Sequence, residues 1–240
     1  MFKVKGVRNP RLDATDIRWQ LQKYKYNRDS NIMTKRYTGY ILWACAALFS
    51  LSLTGNAWAV DVNKLAETCA SCHGKGGAST ESDVPIIGGY SVEFLVNNLT
   101  AYKNNERACP ETQYRTGSNK GKKTDMCKMV KDLGEGDIKQ VAQYFSKQKF
   151  VRAKQKFDPV LAKKGKEIHD MYCEKCHSEG GTSSADDSGM PAGQWTPYLK
   201  QAFEEFNSGK RPIPKKMKLK MDEINKADID ALINYYASFK

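Results

Sequence analysis

At 240 residues the chain has room for one large domain or two small ones. Its formal charge of +12 is concentrated at one end: residues 1–59 carry ten Lys or Arg against three acids, and the remainder carries 29 against 24. The greater part of the chain is therefore only mildly basic, which excludes a nucleic-acid partner as the reason for the charge.

Residues 1–32 are polar, basic and without clear periodicity, and read as an upstream extension or a misplaced start ahead of Met33. Residues 33–59 read as a signal peptide: Lys35 and Arg36 precede the apolar run from Tyr40 to Leu53, and Ala57-Trp58-Ala59 follows it. The run is short for a membrane span. This predicts cleavage before Val60, export to the periplasm and no stable membrane insertion afterwards, with an uncleaved anchor as the rival reading. Cys45 lies inside the apolar run, so six cysteines remain in the exported part.

From Val60 onward one order of features occurs twice. The first copy, residues 60–147, has Cys69-Ala-Ser-Cys72-His73, Pro85, an amphipathic stretch from Val92 to Tyr102, Met126, Leu133, then Asp137-Ile138 and Tyr144-Phe145. The second, residues 160–240, has Cys173-Glu-Lys-Cys176-His177, Pro191, Tyr198 to Phe206, Met217, Ile224, then Asp228-Ile229 and Tyr235-Tyr236. Each Met lies seven positions before the apolar residue that precedes the last helix, and each Asp seven before the first aromatic of the terminal pair. Duplication is the economical account. Each unit reads as helix, cysteine turn, loop, helix, a long loop with Met, and helix, an all-α pattern without a strand-length alternation. Residues 148–159, charged and ending in proline, read as a linker.

C-x-x-C-H is the attachment signature of haem c: two thiols add to the porphyrin vinyl groups and the adjacent His coordinates iron. Cys69, Cys72 and His73 are the first set, and Cys173, Cys176 and His177 the second. A zinc site would need four clustered ligands, and a thioredoxin-like pair a βαβ context. The third histidine, His169, sits four residues before Cys173 on the same helix and reads as a packed residue. Methionine is then the natural second axial ligand, and a thioether favours the reduced iron. Met126 and Met217 are the candidates by spacing, with Met129 and Met221 as their rivals. Met190 lies beside Pro191 without a counterpart in the first unit.

Cys109 and Cys127 remain. A disulfide between them would stabilise by roughly 3 kcal/mol on the chain-entropy estimate and would brace Met126, its neighbour; two free thiols are the alternative. Lys215, Lys216, Lys218 and Lys220 surround Met217 and read either as a solvated face or as a docking patch for an acidic partner.

With these residues in place, the exported part resembles the di-haem cytochrome c4 family. The stretch His169-Asp-Met-Tyr-Cys-Glu-Lys-Cys-His177-Ser-Glu-Gly-Gly181, then Ala192-Gly-Gln-Trp-Thr-Pro-Tyr-Leu199, Arg211-Pro and Lys215-Lys-Met217, is similar to the cytochrome subunit of flavocytochrome c sulfide dehydrogenase. The resemblance implies two tandem cytochrome c-like lobes, two covalent haem c groups, Met217 as an iron ligand, and electron transfer. It implies a partner flavoprotein that binds FAD and oxidises sulfide. The chain has no G-x-G-x-x-G unit, so the flavin would belong to that partner. The acceptor would be a small cytochrome or a terminal oxidase; the other reading is a free-standing cytochrome c4-type carrier that feeds a terminal oxidase. The first lobe departs from the pattern: its loop from Arg107 to Asp125 is long and holds the extra cysteines, and Tyr90 stands where Gln is usual.

Overall fold

The computed structural model describes residues 61–240. The expected extension, signal peptide with Cys45, cleavage site and Val60 start all lie outside the described residues. The described residues form one compact unit. Among the described residues no helix is long and apolar enough to cross a membrane.

The first lobe is built from α1 (Val62–His73), α2 (Val92–Lys103), a short α3 (Met126–Val130) and α4 (Glu135–Ser146). The second has α5 (Pro159–Tyr172), the helical turn α6 (Ser178–Gly181), α7 (Thr196–Asn207), α8 (Lys215–Glu223) and α9 (Ile229–Ala237). The helices start where local chemistry tells them to. Asp61, Ser91, Asp125 and Asp158 cap α1, α2, α3 and α5 by accepting from backbone N–H groups of the first turn, and Pro159 opens α5 where a helix tolerates proline. The repeated aspartates do different work: Asp137 accepts from the Gly134 N–H to start α4, whereas Asp228 pairs with Lys164 across to α5.

In two places the structure departs from the expected pattern. The methionine segments are helical rather than loops: Met126 opens α3, and Met217 lies within α8, a helix with no buried residue of its own. A two-stranded antiparallel hairpin, β1 (Thr112–Gln113) and β2 (Lys123–Thr124), is inserted in the first lobe, with Thr112 opposite Thr124 and Gln113 opposite Lys123. Two-residue strands are too short to leave an alternation in the sequence.

Each lobe has its own core. In the first, Ala66 of α1 and Leu95 of α2 pack on Val141, Ala142 and Phe145 of α4. In the second, Leu199 of α7 meets Leu232, Ile233 and Tyr236 of α9. Full burial of a side chain such as Leu232 or Ile233 contributes about 1.5–3 kcal/mol. The same backbone clamp holds both lobes: Gly89 N–H donates to the Phe145 carbonyl, and Gly193 N–H to the Tyr236 carbonyl, tying the loop before α2 or α7 to the terminal helix.

Helices α5 and α9 touch at Gly165. A Cβ there would lie 2.0 Å from the Ala231 carbonyl oxygen and 2.8 Å from Tyr235 Cβ, so only glycine permits this approach. Gly165→Ala is expected to destabilise the second lobe by about 3 kcal/mol through overpacking against backbone that cannot yield. Guanidinium denaturation followed by far-ultraviolet circular dichroism measures this; a cost below about 1 kcal/mol would show that the pair can separate freely.

Candidate cofactor sites and their interface

In each lobe, the first helix delivers both cysteines and carries the chain into the histidine. His73 Nδ1 lies 2.8 Å from the Pro85 carbonyl oxygen, and His177 Nδ1 lies 3.0 Å from that of Gly189. An imidazole that donates through Nδ1–H keeps the Nε2 lone pair for a metal. Burial lowers the affinity of both rings for a proton, which keeps them neutral and able to ligate. Each carbonyl lies 12 residues after its histidine, so the counterpart of Pro85 is Gly189. Pro191, paired with Pro85 in the sequence pattern, lies two residues later; the register is set by the histidine hydrogen bond, for which a carbonyl of any residue serves.

Burial pushes the Cys69 and Cys173 thiols up to about 11. A redox C-x-x-C pair lowers a thiol's pKa to make a ready thiolate, and these environments do the opposite.

Two cavities meet these groups. In the second lobe a cavity of about 640 Å³ is lined by Cys173, Cys176, His177, Met217 and Met221, within the range of cofactor pockets. The first, about 240 Å³, is lined by Cys69, Cys72, His73, Met126 and Met129. Two thiols, an imidazole with a free Nε2 and a thioether opening on one mostly apolar cavity are a donor set that fits haem c and is short of ligands for structural zinc. His169 is fully buried, with Nδ1 3.0 Å from Tyr236 Oη and Nε2 2.7 Å from Glu174 Oε2. Both its nitrogens are engaged within the protein.

The two thioethers of the first lobe differ. Tyr114, on the inserted hairpin, donates its hydroxyl to Met129 Sδ at 3.1 Å. Met126 stands next to Cys127, which is joined to Cys109 with their Cα atoms 5.8 Å apart. In α8 both Met217 and Met221 are partly buried, and Lys215, Lys216, Lys218 and Lys220 are all exposed.

The contact between the lobes holds residues to which the sequence reading gave no structural role. Tyr90 donates its hydroxyl to the Met190 carbonyl oxygen at 3.0 Å. Gln194, with no exposed surface, accepts from Ile86 N–H at 3.0 Å and donates Nε2–H to the Ile86 carbonyl at 2.9 Å. Tyr90 and Gln194 also bond each other at 3.2 Å. Beside them, Arg107 Nε lies 3.2 Å from Glu205 Oε2, with side-chain exposures of 4% and 6%. Arg107 and Arg211 both donate to Asn98 Oδ1, at 2.9 and 3.1 Å, and Arg107 stacks over Tyr102 as Arg211 does over Phe206. Burial raises the Tyr198 hydroxyl, but the Arg107 and Arg211 guanidiniums outweigh it and hold that hydroxyl below the ordinary tyrosine value. Arg107 and Tyr198 line both cavities, so each site is walled partly by the other lobe.

One signal could have found these arginines. Each lies 34 residues after its motif histidine. From there Met126 is 19 residues on and Met217 only six, so the first lobe carries 13 extra residues, all in the segment that forms the hairpin.

The comparisons with known proteins point the same way. The Cytochrome c family matches residues 162–240. Cytochrome c4 of Stutzerimonas stutzeri is 27% identical over 206 residues, covering 78% of this chain and 94% of that protein. Among solved structures, reduced recombinant cytochrome c4 from Pseudomonas stutzeri superposes with a TM-score of 0.59 at 23% identity, covering 75% of this chain and 99% of that one. Thiosulfate dehydrogenase from Marichromatium purpuratum superposes with a TM-score of 0.58 at 21% identity, over 74% of this chain but 39% of that one.

Proposed function

We propose that this cytochrome c4-like chain, an electron-transfer protein with two haem c groups, works in the periplasm as the electron-accepting subunit of a sulfide-oxidising flavocytochrome. When bound, each haem supplies a one-electron ferric/ferrous couple. The protein's part is to hold the pair: Cys69, Cys72, Cys173 and Cys176 as attachment points, His73 and His177 as ligands oriented through Nδ1, and Met126 and Met217 as the opposing thioethers.

The observation that carries the electron-transfer reading is the duplicated donor set opening on two cavities that share Arg107 and Tyr198 as walls. Two sites so joined suit passage of an electron from one to the other within a single chain. In each set a thioether would serve as a second protein ligand beside the histidine, a donor pair that suits electron transfer rather than ligand-binding catalysis such as peroxidase chemistry.

The FAD-bearing donor is favoured by the second lobe's sequence words, from His169 to Gly181 and from Lys215 to Met217. The free-standing carrier that delivers electrons to a terminal oxidase is favoured by the similarity to cytochrome c4 over 94% of its length. Purification of the native protein from its source separates them. The subunit reading expects FAD at one per two haems and rapid haem reduction by sulfide. A flavin-free protein that sulfide reduces slowly, and that passes electrons readily to an oxidase, would establish the carrier.

A further inference from the structure

The 13 extra residues of the first lobe have a definite place. The segment is closed at its base by Cys109 and Cys127 and folds over the turn that bears the first pair of haem cysteines. The backbone N–H groups of Arg115 and Thr116 both donate to the Ser71 carbonyl oxygen at 3.0 Å, and the Thr116 hydroxyl adds a third bond at 3.2 Å. Ser71 stands directly between the two cysteines, next to Cys72, and Cys72 Sγ lies 3.8 Å from the Gln113 carbonyl oxygen. Arg115 then crosses from the hairpin to Asp83 and, at 3.8 Å, to Glu81, which pins the hairpin to the loop after His73. Three backbone-directed bonds, an ion-paired arginine and a covalent closure hold it down, so it is a fixed cover rather than a mobile flap.

Among the described residues the second lobe has no such cover. The residue matching Ser71 is Lys175, which is exposed, and Cys176 is exposed where Cys72 is half-buried. Lys216 and Lys220 of α8 line the same cavity as Cys176. Lys215 and Lys218 stand beside them, and Leu219, 64% exposed, offers an apolar contact among the charges. Lys218 and Lys220 pair with Asp222 and Glu223 on the same helix, whereas Lys175, Lys215 and Lys216 have no ion-pair partner among the described residues, so the surface carries a net cationic side.

We infer that the disulfide-closed hairpin shields the cysteine edge of the first haem site, so that an acidic redox protein docks on the second lobe, at the surface that carries Cys176 and the lysines Lys175, Lys215 and Lys216. The inference rests on the electron-transfer reading and is independent of whether the donor is a flavoprotein subunit. Electrons exchanged with that partner pass through the second site, and the first communicates with the partner by way of the second. Charge complementarity selects the partner: the unpaired lysines accelerate encounter with an acidic face.

The test uses the full holoprotein and a reduced acidic [2Fe–2S] ferredoxin as probe, with haem reduction followed by stopped flow at low and high salt. Lys175→Glu combined with Lys216→Glu is expected to lower the low-salt second-order rate constant at least tenfold and to flatten its salt dependence. Lys120→Glu combined with Lys122→Glu, on the hairpin, is expected to change it less than twofold. In the complex, Lys175, Lys216 and Lys218 should be protected from acetylation, read by mass spectrometry, and Lys120, Lys122 and Lys123 should not. Equal losses in the two variants, or protection of the hairpin lysines, would overturn the inference. Dithionite reduction of both haems in every variant shows that the substitutions leave the haems intact, so a lost rate reports docking; a failure of the electron-transfer reading would instead show as an unsubstituted protein that the ferredoxin does not reduce.

Discussion

Replacing Met126 or Met217 with alanine is expected to abolish the thioether-to-ferric-iron absorption band of one haem and to lower its potential by on the order of 0.1 V or more, leaving the other haem unchanged. A thioether is a soft, uncharged ligand that favours ferrous over ferric iron, so its loss destabilises the reduced form. In the first lobe the seven-residue spacing to Leu133 favours Met126; the hydrogen bond that Met129 accepts from Tyr114 occupies one sulfur lone pair and leaves the other available. On this assignment Met129→Leu should keep the band and the potential. In the second lobe no contact separates Met217 from Met221, and the choice rests on the seven-residue spacing to Ile224 that Met126 shares toward Leu133. Absorption spectra of the oxidised holoprotein with redox titration of each haem decide both cases. An unaltered spectrum in Met126→Ala, with loss in Met129→Leu, would reverse the assignment.

Glu205→Ala is expected to cost about 3–5 kcal/mol of stability, the largest effect anticipated for a residue that ligates nothing. The carboxylate and the Arg107 guanidinium are almost entirely out of water, and their pairing crosses from α7 of one lobe to the loop after α2 of the other. Removing the carboxylate leaves two guanidiniums, Arg107 and Arg211, sharing the single Asn98 amide oxygen in a buried setting. The double variant Arg107→Leu with Glu205→Leu should recover most of the loss, because removing both charges leaves none to desolvate. Denaturation of the holoproteins by guanidinium measures both. A cost under about 1 kcal/mol for Glu205→Ala would show that the arginine's charge is balanced by another group in the loaded protein.

Arg107, Arg211, Tyr90 and Gln194 show why the interface escaped the sequence reading. A buried arginine and an exposed one look alike in sequence, since charged residues are mostly exposed. Glutamine before a helix carries no signal that its amide will bond a backbone 108 residues away. These roles arise only when two lobes pack and leave polar backbone groups that need partners. The mismatch of Pro85 with Pro191 has a similar origin: proline is conspicuous in sequence, but the bond that matters uses a carbonyl, which every residue has.

What the sequence determined by itself is the chemistry and its repetition. Two C-x-x-C-H turns and two methionines at equal distance from the terminal helices are local patterns, and the capping residues and apolar periodicity that place the helices are local too. Such features act over a few residues, so they survive without knowledge of the fold. The all-α, two-lobed architecture followed from them, and the superposition on cytochrome c4 agrees with it. What only the tertiary structure decided is which groups face which across long separations. It shows His169 sealed between Tyr236 and Glu174, Met129 engaged by Tyr114, and the inserted segment folded over Ser71. Each depends on packing between elements distant in the chain, where burial and unsatisfied hydrogen bonds, rather than spacing, select the partner.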